Sequence, residues 1–264
     1  MQAFTLRGGW QQQIDAAKKR HYEKVLVPSA VEWNEDETKF ATALCIKAET
    51  YKPTMLFEST PVKFGSVFVA ANEAVLSPCG KFMYIVKTLP RGEHLTLAMG
   101  RDRGEVYFTG DVHVPVLSEL VGAASAPQVW MSITPFEVFT QRPGIRKATG
   151  KVMVGGLGLG WFLNKVAARE AVDEIVLVER KKSIVDWILP RVKEVWPHVA
   201  GKLKEVIVGD AIEQIGKHGD GTTYLLDIWD KYGSAKNDRQ FQAAKAKDVR
   251  VWGWGDHYVK ELHG

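Results

Sequence analysis

The sequence predicts an α/β protein with a β-rich first part, residues 1–125, and an alternating strand-and-helix second part, residues 126–264. Three observations lead there. In the second part apolar runs recur with helical segments between them, the pattern of a parallel sheet. The first of these runs, Lys151-Val152-Met153-Val154, enters a turn holding Gly155, Gly156, Gly158 and Gly160. The first part instead breaks into short apolar or alternating runs separated by turn residues.

Gln11 to Tyr22 reads as an amphipathic helix, with Ile14, Ala17 and Tyr22 on one side and Lys18, Lys19 and Arg20 largely outside. The expected strands of the first part are 24–27, 40–46, 66–70, 81–87, 95–99, 105–108 and 112–117. Turns such as Pro78-Cys79-Gly80, Arg91-Gly92 and Arg101-Asp102-Arg103-Gly104 separate them. Ser77-Pro78-Cys79-Gly80 is read as a turn, not as a nucleophile motif. Val121 to Pro127 is small and flexible in composition and marks the domain boundary.

In the second part, 129–135 is one further strand and 136–144 a connecting segment with Thr140, Gln141 and Arg142. The glycine turn leads into a helix over 161–170. Glycines at such a turn let backbone amides at a helix N-terminus approach a nucleotide-like ligand without Cβ obstruction. A second strand, 174–180, carries Glu179 near its end, roughly twenty residues beyond the glycines, the position from which a carboxylate reaches ribose hydroxyls. The helix over 181–196 contains Pro190, which should kink or split it. A third strand ends in Gly209-Asp210-Ala211, with a short helix over 211–217. A fourth ends in Asp227-Ile228-Trp229-Asp230. A helix over 238–247 and a fifth strand over 249–255 follow. In an open parallel sheet all strand carboxyl ends share one edge, so these glycines and carboxylates meet in one crevice.

Composition excludes several classes. No apolar run approaches a membrane-spanning length, and Met1 to Trp10 lacks the apolar core of a secretion signal, so the cytoplasm is the expected compartment. The net charge of +4 is modest and the basic residues are interleaved with acids, which is not a nucleic-acid footprint. Cys45 and Cys79 form no disulfide framework, and neither they nor His94 and His113 have zinc-like spacing, so no metal site is expected.

Gly155 to Gly160, Glu179, Gly209-Asp210-Ala211 and Asp227, in this order, resemble the motifs of class I S-adenosylmethionine-dependent methyltransferases over roughly Ala126 to Gly264. The resemblance implies a Rossmann-like domain with S-adenosylmethionine as cofactor. It further implies that Gly155, Gly156, Leu157 and Gly158 pass beneath the cofactor and that Glu179, with Arg180 beside it, meets the ribose. Asp210 and Ala211 would face the adenine amino group, Asp227 the reacting centre, and Gln141 and Arg142 the methionine end. The sequence departs from the family at Val154, where an acidic residue is usual, and its sheet is shortened to five strands where seven are usual. A homo-oligomer or the β-rich part would then complete the site. The Gly-Gly start and the spacing Asp227-x-x-Asp230 are also similar to the spermidine synthase branch of this fold, although Lys231 replaces a proline and no Tyr-His-Glu motif precedes them.

Asp227 and Asp230 are the candidate catalytic residues, placed to orient an amine or take a proton; as alternatives they are a strand-end acceptor and a turn cap. The leading expectation is a methyltransferase of unidentified acceptor. An aminopropyltransferase using the decarboxylated donor, and a noncatalytic nucleoside-binding scaffold, remain open. The failed G-x-G-x-x-G spacing argues against a nicotinamide enzyme. The absent D-P-P-Y type motif argues against adenine N6 methylation.

Overall fold

The computed structural model describes residues 6–66, 69–99, 102–121, 127–229 and 235–255. Helix α1 (Leu6–His21) continues through a π-helical turn, Tyr22–Leu26, and a 3-10 turn, Val27–Ser29. The strands β1 (Ala43–Ile46), β2 (Val62–Lys63), β3 (Ala74–Leu76), β4 (Phe82–Leu89), β5 (His94–Met99), β6 (Asp102–Phe108), β7 (Val112–Glu119) and β8 (Gln128–Ser132) follow. Then come α2 (Pro135–Lys147), β9 (Gly150–Gly155), α3 (Trp161–Ala168), β10 (Val172–Glu179), α4 (Lys182–Val195), α5 (Pro197–Lys202) and β11 (Leu203–Val208). The last elements are α6 (Ala211–Gln214), β12 (Thr223–Leu226), α7 (Ala235–Lys247) and β13 (Val251–Gly253). Contacts gather into two compact units, Met1–Lys52 with Thr88–His113 and Pro53–Lys87 with Val114–Gly264. The boundary expected at 121–127 falls largely on residues 122–126, outside the described residues.

The first unit holds a three-stranded sheet ordered β1-β6-β5, with β1 and β6 parallel and β5 antiparallel to β6. The strand expected over 24–27 is helical instead. Tyr22 and Leu26, one helical turn apart, are buried with Cys45 and Tyr107, and the chain folds so that both reach the same cluster. The Tyr22 hydroxyl donates to the Phe108 carbonyl at 2.7 Å, so the ring is fixed at its polar end as well. The amphipathic packing expected of the opening helix is not found, because Trp10 to His21 are exposed throughout and Ile14 is 43% exposed. Among the described side chains, burial begins at Tyr22.

The second unit contains two sheets. One is ordered β2-β4-β7-β8, with β3 also pairing β4. The other is ordered β11-β10-β9-β12-β13, and every pairing in it is parallel. In chain order this is third, second, first, fourth, fifth, and the direction of winding reverses between β9 and β12. Central strands of such a sheet are covered on both faces and should be apolar throughout. Val152, Met153 and Val154 of β9, Ile175 to Val178 of β10 and Tyr224 to Leu226 of β12 are accordingly all buried. Their alternation assigns the faces. Met153, Val176, Val178, Tyr224 and Leu226 pack with Ala211, Ile215, Trp229 and Ala244, so α6 and α7 cover that face.

Two helices differ from expectation. Helix α4 runs unbroken through Pro190, at the loss of one backbone hydrogen bond. Residues 136–144, expected as a connecting segment, lie inside α2. Its N-terminus is capped by Thr134, whose hydroxyl accepts from the Glu137 amide, with Pro135 at the first helical position where its missing N–H costs nothing.

Candidate functional site

The reversal between β9 and β12 is a topological switch point, the place where open parallel sheets hold ligands at their carboxyl edge, and the turn after β9 lies at that edge. The turn is stitched on both sides. Gly156 N–H donates to the Val178 carbonyl at 2.8 Å, while the Gly155 carbonyl accepts from Asp227 N–H at 2.8 Å. Gly156 has φ of +94°, and a Cβ there would lie 2.1 Å from the Asp227 carbonyl oxygen. A side chain at this position would push the ends of β9 and β12 apart. At Gly158 a Cβ would come within 2.5 Å of the Met131 sulfur, which itself accepts from Leu159 N–H at 3.1 Å. These two glycines are therefore required by the chain's own packing, with β12 and with β8.

Glu179 lies at the end of β10 and is 7% exposed. Its Oε2 accepts from Leu157 N–H at 2.9 Å and its Oε1 from Lys181 N–H at 2.8 Å. The carboxylate thus holds the glycine turn and the start of the next loop together, and each oxygen keeps a second lone pair. Asp210, after β11, accepts from Ile212 N–H at 2.8 Å through Oδ1 and caps α6. Ala211 is buried in the cluster beneath it. Arg180 is exposed; Lys181, beside it, pairs with Glu119 at 3.5 Å.

Asp227, at the end of β12, is half-buried. Its Oδ2 accepts from Gln141 Nε2 at 2.7 Å, and the same nitrogen donates to Glu137 Oε1 at 2.8 Å. Gln141 is fully buried, and one helical turn separates it from Glu137 on α2. Two carboxylates are thus held within two hydrogen-bond lengths of each other by one amide. Burial, and then the charge of Glu179, push the Asp227 carboxyl up to about 7. Burial and then Asp227 push Glu137 well above the usual carboxylate range, with the bond from Gln141 acting in the opposite direction.

Alongside these, Thr140 Oγ1 accepts from the Trp254 indole N–H at 2.9 Å and donates to the Glu137 carbonyl at 3.1 Å. Arg142 is buried with its guanidinium 4.7 Å above the Phe139 ring centroid. Trp229 is buried, and its indole N–H donates to Gln240 on α7 at 3.2 Å. Asp230, a predicted catalytic residue, lies outside the described residues.

The structure therefore brings Gly155, Gly156, Leu157, Gly158, Glu179, Asp227 and Gln141 together through direct contacts, and sets Asp210 at the end of the strand next to that of Glu179. Sequence reasoning missed Glu137. The signal was Thr134-Pro135-Phe136-Glu137, a helix start with a capping threonine, proline first and an acid at the third position. Once that helix is drawn, Glu137 and Gln141 fall on one face. An open cleft of about 610 Å³ in the first unit, lined by Lys18, Lys19, Arg91, Asp15, Glu23 and Glu93 among others, has mixed charge and gathers none of the predicted residues.

No family model and no curated protein matches the chain. Among solved structures it is similar to the O-methyltransferase TomG from Streptomyces achromogenes, involved in tomaymycin synthesis and in complex with S-adenosylmethionine. There the identity is 16%, the coverage 41% of this chain and 48% of that one, and the TM-score 0.30. It is also similar to the methyltransferase domain of bacterial CtHen1-CN, at 14% identity, 41% and 58% coverage and a TM-score of 0.28. A spermidine synthase in complex with the transition state analogue AdoDATO is similar at 13% identity, 66% and 63% coverage and a TM-score of 0.31. The chain thus spans about half the length of the first of these structures.

Proposed function

We propose that this chain is an S-adenosylmethionine-dependent methyltransferase, with its cofactor across the carboxyl ends of β9, β10, β11 and β12. The observation that carries the reading is the charge of the crevice. At the glycine turn, Leu157 N–H points to the Glu179 carboxylate and Leu159 N–H to the Met131 sulfur. A dinucleotide's pyrophosphate would meet a carboxylate where it needs free amides. An uncharged nucleoside carrying a cationic tail meets what it needs, hydrogen-bond acceptors and negative charge.

The residues fit such a ligand. Glu179 retains lone pairs for ribose hydroxyls, Asp210 Oδ2 for an exocyclic amine, and the Asp227 and Glu137 carboxyls are placed to ionise against a sulfonium cation, which would favour their charged forms. The cofactor supplies an activated methyl group, so the protein's part is alignment and proton removal. Asp227, poised near neutrality, is suited to taking a proton from a nucleophile; Glu137 and Gln141 hold it in place.

Parallel calorimetric titrations with S-adenosylmethionine, S-adenosylhomocysteine, the decarboxylated donor and NADH test this. Binding of the first two in preference to the others supports methyl transfer. Preference for the decarboxylated donor would support aminopropyl transfer instead, and NADH alone would overturn the reading.

A further inference from the structure

Helix α1 leaves its apolar side without cover. Every side chain from Trp10 to His21 is exposed, Trp10 at 70% and Ile14 at 43%. The helix is anchored at its carboxyl end, where Tyr22 and Leu26 are buried with Cys45 and Tyr107. At about 100° of rotation per residue, Ala17, Trp10, His21 and Ile14 fall within an arc of roughly 60°, one narrow stripe along the helix. On the same wheel Lys18 lies about 40° beyond Ile14 and Arg20 about 60° before Ala17, so a basic side chain borders the stripe on each side. Asp15 is the one acid between Trp10 and His21. It lies about 130° from the centre of the stripe, and it accepts from Gln11 Nε2 at 2.9 Å. The borders of the exposed apolar stripe are therefore positive, and the negative charge sits behind it.

We infer that this face of α1 docks on an anionic lipid surface, with the helix lying in the plane of the interface, Trp10 and Ile14 at the acyl boundary and Lys18 and Arg20 at the headgroup phosphates. An indole ring suits that depth, because its body is apolar while its N–H stays hydrated. Lysine and arginine lay their stems along apolar surface and keep their charged heads in water, so both borders reach phosphate while the stripe is inserted. Each cation near an anionic leaflet adds attraction that fades within a Debye length. Other occupants fit less well. A second copy laid on the same stripe would set basic borders against basic borders. A nucleic-acid strand would take the cations and leave Ile14 in water. A protein groove draws its affinity from a packed apolar centre, and the two large side chains Trp10 and Ile14 supply little of one. A charged bilayer supplements the same two side chains through the whole basic face. This surface shares no residue with the methyl-transfer site.

The test is co-sedimentation of the full chain with vesicles of phosphatidylcholine, either alone or mixed equally with phosphatidylglycerol. The mixed vesicles are expected to bind at least about tenfold more tightly at an ionic strength of about 0.1 M, and the difference should largely vanish at about 1 M, where screening shortens to roughly 3 Å. A Trp10→Ala, Ile14→Ala double variant and a Lys18→Gln, Arg20→Gln double variant should each weaken binding to the mixed vesicles by about tenfold. Val249→Ala, at a side chain 92% exposed outside the helix, should leave binding unchanged. Every substituted side chain is exposed, so thermal unfolding should be the same in all the variants. Equal affinity for the two lipid compositions at low ionic strength, or none for either, overturns the proposal. So does full vesicle binding by the Trp10→Ala, Ile14→Ala variant, because the contact then lies elsewhere. Binding of poly(U) that the charge variant loses and the apolar variant keeps, without vesicle binding, overturns it in favour of a nucleic acid. A concentration-dependent dimer abolished in the apolar variant, again without vesicle binding, overturns it in favour of a second copy.

Discussion

Gly156→Ala tests the geometry on which the site depends. The added methyl carbon would lie 2.1 Å from the Asp227 carbonyl oxygen, at φ of +94°. The left-handed backbone alone costs an L-residue about 1–2 kcal/mol. Separating two strand ends that are hydrogen-bonded through Gly155 and Asp227 adds about 1–3 kcal/mol of overpacking. Gly216→Ala isolates the backbone cost, since Gly216 has φ of +84° but nothing within 4 Å of where its methyl carbon would stand. Urea unfolding should therefore show a loss of about 1–2 kcal/mol for Gly216→Ala and about 2–5 kcal/mol for Gly156→Ala, with unchanged denaturant slopes. Because the displaced strand end carries Asp227, S-adenosylhomocysteine affinity should fall in Gly156→Ala and not in Gly216→Ala. Equal losses of stability in the two variants would refute the close approach of β9 and β12.

Two further outcomes are expected. Asp227 holds its proton more tightly in the folded chain, at about 7, than in the unfolded chain, where it ionises near 3.8. Its ionisation therefore lowers stability as pH rises through that interval, by a few kcal/mol at about 1.4 per pKa unit, and Glu137 acts in the same direction. Urea midpoints should fall between about pH 4 and pH 7 in the native chain and fall less in Asp227→Asn; the same slope in both would remove Asp227 as the source. Glu179→Ala should weaken S-adenosylmethionine binding by about 1.5–3 kcal/mol by deleting charge-assisted bonds and leaving Leu157 N–H unmatched. Unchanged affinity in calorimetry would refute the ribose role.

The parallel sheet was legible because its central strands β9, β10 and β12 are buried and read as apolar runs, so the carboxyl ends could be located from Gly155, Glu179 and Asp227, with Asp210 closing the more exposed edge strand β11. Helix α2 was not, because Pro143 and Gly144 near its end suggest a loop. In the folded chain Gly144 lies against the Trp252 ring, where a Cβ would come within 2.4 Å, so tertiary packing overrides local propensity. The strand expected over 24–27 failed for the opposite reason. Val25, Leu26 and Val27 are apolar in sequence, but only Leu26 is buried, and Val25 is 54% exposed. The Glu137–Gln141–Asp227 cluster joins α2 to β12 across 86 residues, and no local pattern encodes a contact of that range.

The central claim is that the acidic crevice at the β9–β12 reversal holds a nucleoside with a cationic tail. A crystal structure of the chain grown with S-adenosylhomocysteine tests it most directly. The predicted result is adenosine density across the carboxyl ends of β9 and β12, with ribose hydroxyls on Glu179, the adenine amino group at Asp210 and the amino-acid end toward Asp227. Density elsewhere, or a crevice in which Glu179 binds only the Leu157 and Lys181 amides, would contradict it.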